Sequence, residues 1–228
     1  MSSIAVRLGS VQTSTNQQDD YSSSTDRFYE ENAAEYFERT VGADLTHLYE
    51  PFFELLPDRA RILDAGCGSG RDLPTFVGRG YRAMGIDASP RLVALAQAYS
   101  GAPCAVLRLE DLNYDRCFDG IWACASLLHL PKVTLPVVLR RLHRALAAGG
   151  VLFASVQEGN GEKRHVDGRF YAYYTPSEFH DAMEHAGFAI EHEWVTKDAL
   201  REAKGPRWLN VLARVTPRPP AMGRAPFV

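Results

Sequence analysis

Three glycines recur at every second position, Gly66, Gly68 and Gly70, just after an apolar run that ends in Ile62 and Leu63. A helix-compatible segment begins near Asp72. Strand, glycine turn and helix make a loop of the nucleotide-cofactor type, because residues without a Cβ let a ligand approach the backbone closely. Spacing narrows the choice of cofactor. The dinucleotide fingerprint needs its third glycine at position 71, where Arg71 stands, and the Gly-Lys-Ser/Thr of a P-loop is absent. What remains is the pattern D-x-G-x-G-x-G from Asp64 to Gly70. Farther on, Asp87 closes a second apolar run in Gly85-Ile86-Asp87-Ala88-Ser89-Pro90. An acid about 20 residues beyond such glycines can accept both ribose hydroxyls in a bidentate hydrogen bond. Asp87 or Ser89 would equally serve as an ordinary helix N-cap.

Two further places carry candidate chemistry. Leu109-Glu110-Asp111-Leu112 follows a third apolar run, and a carboxylate there can accept an adenine amino group while a backbone N–H reaches a ring nitrogen. Asp111 is favoured for that role, and Glu110 also suits a solvated loop. In Phe118 to Pro131 an apolar run gives way to the small residues Ala123 to Ser126, with His129 just beyond. Small residues leave room at the carboxyl edge of a sheet, where open α/β folds bind ligands. For His129, contact with a reacting molecule and simple packing are both open.

These residues need a frame that presents strand ends side by side. Candidate strands fall at 61–65, 82–86, 105–109, 119–125 and 150–156, with helices at about 72–79, 90–99 and 134–147 between them. The alternation predicts a parallel sheet covered by helices on both faces. Ser89-Pro90 reads as an N-cap followed by proline at the first helical position, and Gly149-Gly150 as the end of the long helix. Thr175-Pro176-Ser177-Glu178 is a capping box opening a helix that stops at Gly187. Residues 188–195 and 207–215 then read as an antiparallel edge pair. Ahead of the sheet, 26–40 reads as an amphipathic helix and 45–56 as a helix broken near Pro51. The expected organisation is a flexible segment or lid over 1–25, one domain over 26–215 and a flexible tail over 216–228.

Composition sets outer limits. The chain has 228 residues, 46% of them hydrophobic, enough for one sizeable core. A formal charge of −3 gives no electrostatic footprint for nucleic acid. Cys67, Cys104, Cys117 and Cys124 form no C-x-x-C pair, so neither a disulfide framework nor a metal site is expected. No apolar run approaches the ~18–20 residues that span a bilayer, and the polar N-terminus lacks a signal-peptide core. A cytoplasmic protein without membrane or nucleic-acid partners is expected, as monomer or homodimer.

Taken together and in order, Asp64 to Asp72, Ile86 to Pro90, Phe118 to His129 and Arg207 to Asn210 resemble class I S-adenosylmethionine (SAM) methyltransferases over about residues 26–215. The similarity is greatest to the bacterial small-molecule branch. It implies a Rossmann-like, doubly wound α/β sheet of seven strands, mostly parallel with an antiparallel C-terminal edge pair, under an N-terminal helical lid. It implies SAM as cofactor, S-adenosylhomocysteine as product and no metal. Gly66, Cys67, Gly68, Gly70 and Arg71 would line the methionine and ribose, with Asp87 and Ala88 at the ribose diol. Glu110, Asp111 and Leu112 would lie at the adenine, Ser126 near the sulfonium, and Tyr29, Tyr36 and Arg39 near the methionine carboxylate. After the fifth strand, Ser155-Val156-Gln157-Glu158-Gly159 departs from the branch's usual S-F-K-Y-G, and the run Phe170 to Tyr174 follows. Tyr171, Tyr173, Tyr174 and Trp208 can sandwich a flat ring, and His129 would be the base if the acceptor needs one. The expected acceptor is therefore a small planar aromatic or N-heterocyclic metabolite, methylated on nitrogen or oxygen. Alternatives are an inorganic oxyanion such as tellurite, NAD(P)-dependent redox chemistry, or SAM sensing without catalysis.

Overall fold

The computed structural model describes residues 24–199 and 205–216. The expected flexible segments at 1–25 and 216–228 lie outside them, apart from Ser24, Thr25 and Thr216. Ser24 and Thr25 are already helical, so the first helix begins earlier than expected.

The α1 helix occupies residues 24–31 and α2 Ala33–Thr40, with a turn at Asn32 between them. The expected single helix is thus two. The Asn32 amide donates to the Phe28 carbonyl at 2.8 Å, a local bond that competes with helix continuation. α3 (Thr46–Phe53) carries Pro51 within its last turns and ends soon after it. The alternating part follows as β1 (Arg61–Ala65), α4 (Leu73–Gly78), β2 (Arg82–Asp87), α5 (Pro90–Ser100), β3 (Cys104–Val106), β4 (Phe118–Cys124), α6 (Leu135–Ala145) and β5 (Leu146–Gln157). A two-stranded hairpin, β6 (Glu162–Arg164) and β7 (Phe170–Ala172), precedes α7 (Pro176–His185), β8 (Phe188–Lys197) and β9 (Arg207–Val215).

The main sheet has seven strands in the order β3-β2-β1-β4-β5-β9-β8. Neighbours from β3 to β5 are parallel, and β9 and β8 close the far edge antiparallel. Strand order reverses between β1 and β4, the switch point where open α/β sheets leave a crevice. Consecutive residues of β1 face opposite ways, and Ile62 and Leu63 fill different cores on the two faces. This accounts for the unbroken apolar run of a strand buried on both sides. On one face Trp122 stacks on Phe153 at 3.9 Å and meets the rings of Tyr49, Phe52 and Phe76. Such side chains stabilise the fold by about 1.5–3 kcal/mol each through burial.

Boundary signals that rest on side-chain chemistry match the structure. Ser89 Oγ accepts from Leu92 N–H, and Thr175 with Glu178 forms the reciprocal capping box. Three expectations are corrected. The third strand is Cys104–Val106 rather than 105–109; it pairs with β2 alone, and the chain then leaves the sheet through a 3-10 turn, Leu109–Asp111. Helix α6 stops at Ala145, and Gly149-Gly150 lies inside β5 instead of ending a helix. Pairing with β4 jumps from Phe118–Leu146 to Gly120–Val151, so the glycine pair forms a bulge, with Gly149 at φ 74°. The β6–β7 hairpin was not expected; its strands are three residues each, too short for alternation to show.

Candidate active site

The three spaced glycines all have positive φ, of 84°, 52° and 74° in chain order, but they do different work. A Cβ on Gly66 would lie 2.4 Å from Ser126 Cβ, so its absence lets the chain beyond β4 approach the loop. A Cβ on Gly68 would lie 3.1 Å from the Tyr36 ring, whereas one on Gly70 would strike the α5 backbone at Ala96, 2.8 Å away. Gly66 and Gly68 line a cavity at the switch point, and Gly70 serves helix packing.

Asp87 fixes the rim of that cavity. One carboxylate oxygen accepts from Gly68 N–H and the other from Ser89 N–H, each at 2.9 Å. Burial raises its pKa from the ordinary value, and the backbone donors oppose that shift. Across the cavity Ser126 Oγ is buried with no hydrogen-bond partner among the described residues. Leu107 to Glu110 form the end wall, and Glu110, not Asp111, lines the space. Positive-φ glycines without side chains, a pinned carboxylate and an unpaired hydroxyl suit a ribose-bearing ligand.

Helix α1 closes the top. Tyr29 OH donates to His129 Nε2 at 2.7 Å, and Thr25 Oγ1 accepts from Phe170 N–H at 2.9 Å. Glu30 accepts from Ser89 Oγ at 2.6 Å, and Asp26 forms an ion pair with Arg108. His129 Nδ1 lies 2.8 Å from the Phe170 carbonyl oxygen, which can only accept, so Nδ1 carries the hydrogen and Nε2 is the acceptor. Burial drives the His129 pKa down to about 4, and the same cause raises the phenols, Tyr36 to about 12 and Tyr29 well above 10. The imidazole is neutral at pH 7.

A larger cavity of about 500 Å³ adjoins the first. Tyr29, Tyr36, Cys124, Ala125 and His129 line both. Arg71 belongs to the larger one. Its Nε and Nη2 donate to the Asp72 carboxylate at 2.8 and 2.9 Å. Asp72 also accepts from Tyr49 OH at 2.7 Å and Trp122 Nε1 at 2.9 Å. Burial alone would raise the Asp72 pKa, but Arg71 and these donors hold it below the usual value.

The structure thus brings together most of the expected residues and separates others. Tyr29, Tyr36, Gly66, Gly68, Asp87, Ala88, Glu110, Ser126 and His129 surround the first cavity. Arg39, Arg71, Tyr171 and Trp208 line the second, so Arg39 and Arg71 stand away from the first. Cys67, Gly70, Asp111 and Leu112 line neither; Cys67 and Leu112 are core residues, and Leu112 N–H already bonds the Leu109 carbonyl. Tyr173 and Tyr174 also line neither, Tyr173 OH pairing with His165 and the Tyr174 ring packing on Phe179. Sequence reasoning missed Thr25, Leu107 and Arg108 in the first cavity and Ser155, Thr196 and Asn210 in the second. Register with β4 could have found Ser155, since it pairs with Cys124 at the open strand edge.

Residues 37–193 match the methyltransferase-domain family. The chain belongs to this family, and its seven-stranded sheet has the Rossmann-like methyltransferase fold. Its similarity to curated methyltransferases is partial. It is 32% identical to the malonyl-[acyl-carrier protein] O-methyltransferase of Erwinia pyrifoliae over 110 residues, 44% of this chain and 38% of that one. It is also 32% identical to a ubiquinone biosynthesis O-methyltransferase of Xanthomonas axonopodis pv. citri over 108 residues, 44% of each. The chain spans about two fifths of the length of these relatives. Its fold is similar to that of the 1,6-didemethyltoxoflavin-N1-methyltransferase of Burkholderia thailandensis, solved with 1,6-didemethyltoxoflavin and S-adenosylhomocysteine, with a TM-score of 0.72 at 22% identity over 94% of both chains. Among its described residues no helix is long and apolar enough to cross a membrane.

Proposed function

We propose that this chain is a SAM-dependent methyltransferase that acts on a nitrogen or oxygen of a small planar acceptor, aromatic or N-heterocyclic. The observation that carries the reading is the junction of two cavities along Tyr29, Tyr36, Cys124, Ala125 and His129. Gly66, Gly68, Asp87, Ala88, Glu110 and Ser126 would hold SAM in the smaller cavity. SAM supplies an activated methyl group on a sulfonium. The larger cavity would then hold the acceptor with its lone pair directed through the junction. Alignment of that kind can lower a barrier by roughly 7–11 kcal/mol. The flat rings of Tyr171 and Trp208 support a planar acceptor, as does a relative of the same fold that was solved with a fused heterocycle.

His129 has its Nε2 lone pair on the Tyr29 hydroxyl, so any proton leaving the acceptor would pass to the tyrosine oxygen as Tyr29 gives its own to His129. Nδ1–H, bonded to the Phe170 carbonyl, fixes the tautomer that can receive it. An acceptor with a free lone pair needs no such help, whereas a phenol gains ~10²–10⁴-fold from a base. The cofactor assignment is tested by titrating S-adenosylhomocysteine into wild type and Asp87→Ala in a calorimeter. Severe weakening is expected, and undiminished binding removes Asp87 from the site. A metabolite screen with mass detection of a methylated product tests the acceptor class.

A further inference from the structure

Among the described residues, three positions that carry a side chain have a left-handed backbone: Arg59, Arg116 and Ala125. The two arginines are exposed and line neither cavity. Ala125, at φ 56°, lines both cavities. In this region a Cβ crowds the following carbonyl oxygen, so an alanine stays there only where its surroundings hold it.

The holding contact comes from the neighbouring strand. The ladder between β4 and β5 reaches its last pair at Cys124 and Ser155. Beyond that pair Ala125 N–H turns to a side chain and donates to Ser155 Oγ at 2.9 Å. The Ser155 hydroxyl in turn donates to Cys124 Sγ at 3.7 Å, from a residue that is 2% exposed. One buried hydroxyl thus ties two successive residues at the end of β4. Its removal leaves Ala125 N–H without this acceptor and takes away what opposes the backbone strain.

What the turn positions lies immediately downstream. Ser126 packs so closely on the glycine loop that a Cβ at Gly66 would lie 2.4 Å from its own. The Ser126 carbonyl accepts from His129 N–H at 3.2 Å across the 3-10 turn Leu127–His129, and that turn carries the imidazole to Tyr29. The direction in which the chain leaves Ala125 therefore sets one wall of the smaller cavity and the place of His129.

We propose that Ser155 is a positioning residue of this site: its hydroxyl holds Ala125 in the left-handed turn that sets Ser126 against the glycine loop. Ser155 acts through the backbone of Ala125 and moves no proton of the reaction. The inference rests on the smaller cavity being the cofactor site.

Calorimetry with S-adenosylhomocysteine on the full chain tests this in wild type, in Ser155→Ala and in Ser155→Ala combined with Ala125→Gly. A protein whose competent turn is populated in about one molecule out of ten binds about ten times more weakly. Ser155→Ala is therefore expected to lose about tenfold in affinity. Glycine enters the left-handed region without a Cβ penalty, so the double variant is expected to recover most of that loss. A purely structural role would lower the urea midpoint of Ser155→Ala and leave the affinity of the folded protein as it was. Ser155→Ala that binds as wild type does, or a double variant that binds no better than Ser155→Ala, overturns the assignment. If Ser155→Ala does not fold, Ser155→Thr and Ser155→Val decide instead, being isosteric and differing in the hydroxyl: tighter binding by the threonine variant is expected, and equal binding overturns the assignment. Wild type that binds no S-adenosylhomocysteine overturns the reading of the smaller cavity, and this assignment with it.

Discussion

Lowering the pH from 7 to 4 should expose the energetic signature of His129. In the folded chain its imidazole titrates at about 4, because burial disfavours the cation, against 6.5 when free. Above pH 6.5 both states carry it neutral, and it adds no pH dependence. Between 6.5 and 4 the unfolded chain takes up a proton that the folded chain refuses, so stability falls as pH falls. The slope is 1.36 kcal/mol per unit for one proton, and over this window the loss reaches about 3 kcal/mol. Below pH 4 both states are protonated and the loss stops growing. Six other histidines titrate as well, so the comparison must be with His129→Asn, which retains them. The variant leaves Tyr29 OH without its acceptor and should be less stable at pH 7 by about 1–3 kcal/mol. It has nothing to protonate at this position. Urea unfolding of both proteins at pH 7, 6 and 5 should therefore show the gap closing by about 1 kcal/mol or more as the pH drops. Parallel stabilities would mean that His129 is protonated in the folded state or freely solvated, and the hydrogen-bond chain from Tyr29 to Phe170 would be misassigned.

Gly66→Ala combines a left-handed backbone, φ 84°, with overlap against Ser126 Cβ, and should destabilise by roughly 3 kcal/mol; a thermal scan within a degree of wild type would contradict this. Trp122→Phe removes a donor from the Asp72 carboxylate, at a cost of about 2 kcal/mol in the urea midpoint analysis. Thr175→Ala takes away the hydroxyl that caps α7 and should cost about 1 kcal/mol without changing affinity for S-adenosylhomocysteine.

The gathering of Gly66, Gly68 and Asp87 around the smaller cavity was legible because the pattern that sets it is local. Gly66, Gly68 and Asp87 lie in short segments whose spacing is dictated by one strand-turn-helix unit and the strand beside it, and the bond that Gly68 N–H donates to the Asp87 carboxylate is the physical link. Arg71 turns to the larger cavity because it is held by Asp72, which Tyr49 and Trp122 fix from two other elements, and no local spacing announces that contact. Glu110 and Asp111 exchanged places because a 3-10 turn replaced the expected strand end and rotated the pair. The acceptor half was hardly legible. Ser155 and Asn210 meet only through strand register, and Tyr173 and Tyr174 look like ring-stacking residues until the hairpin turns them elsewhere. Composition carries no trace of register.

Helix α1 reaches both cavities through Tyr29, one of the five residues that line the two, and is tied down along its length: Tyr29 to His129, Thr25 to Phe170, Glu30 to Ser89 and Asp26 to Arg108. A displacement large enough to free one chamber must break contacts that shape the other. With both chambers filled as proposed, traffic through them would be coupled, and departure of one molecule would change the hold on its neighbour. The same ties would make release a shared event, so the pace of turnover can be set by a helix whose one contact with both cavities is Tyr29.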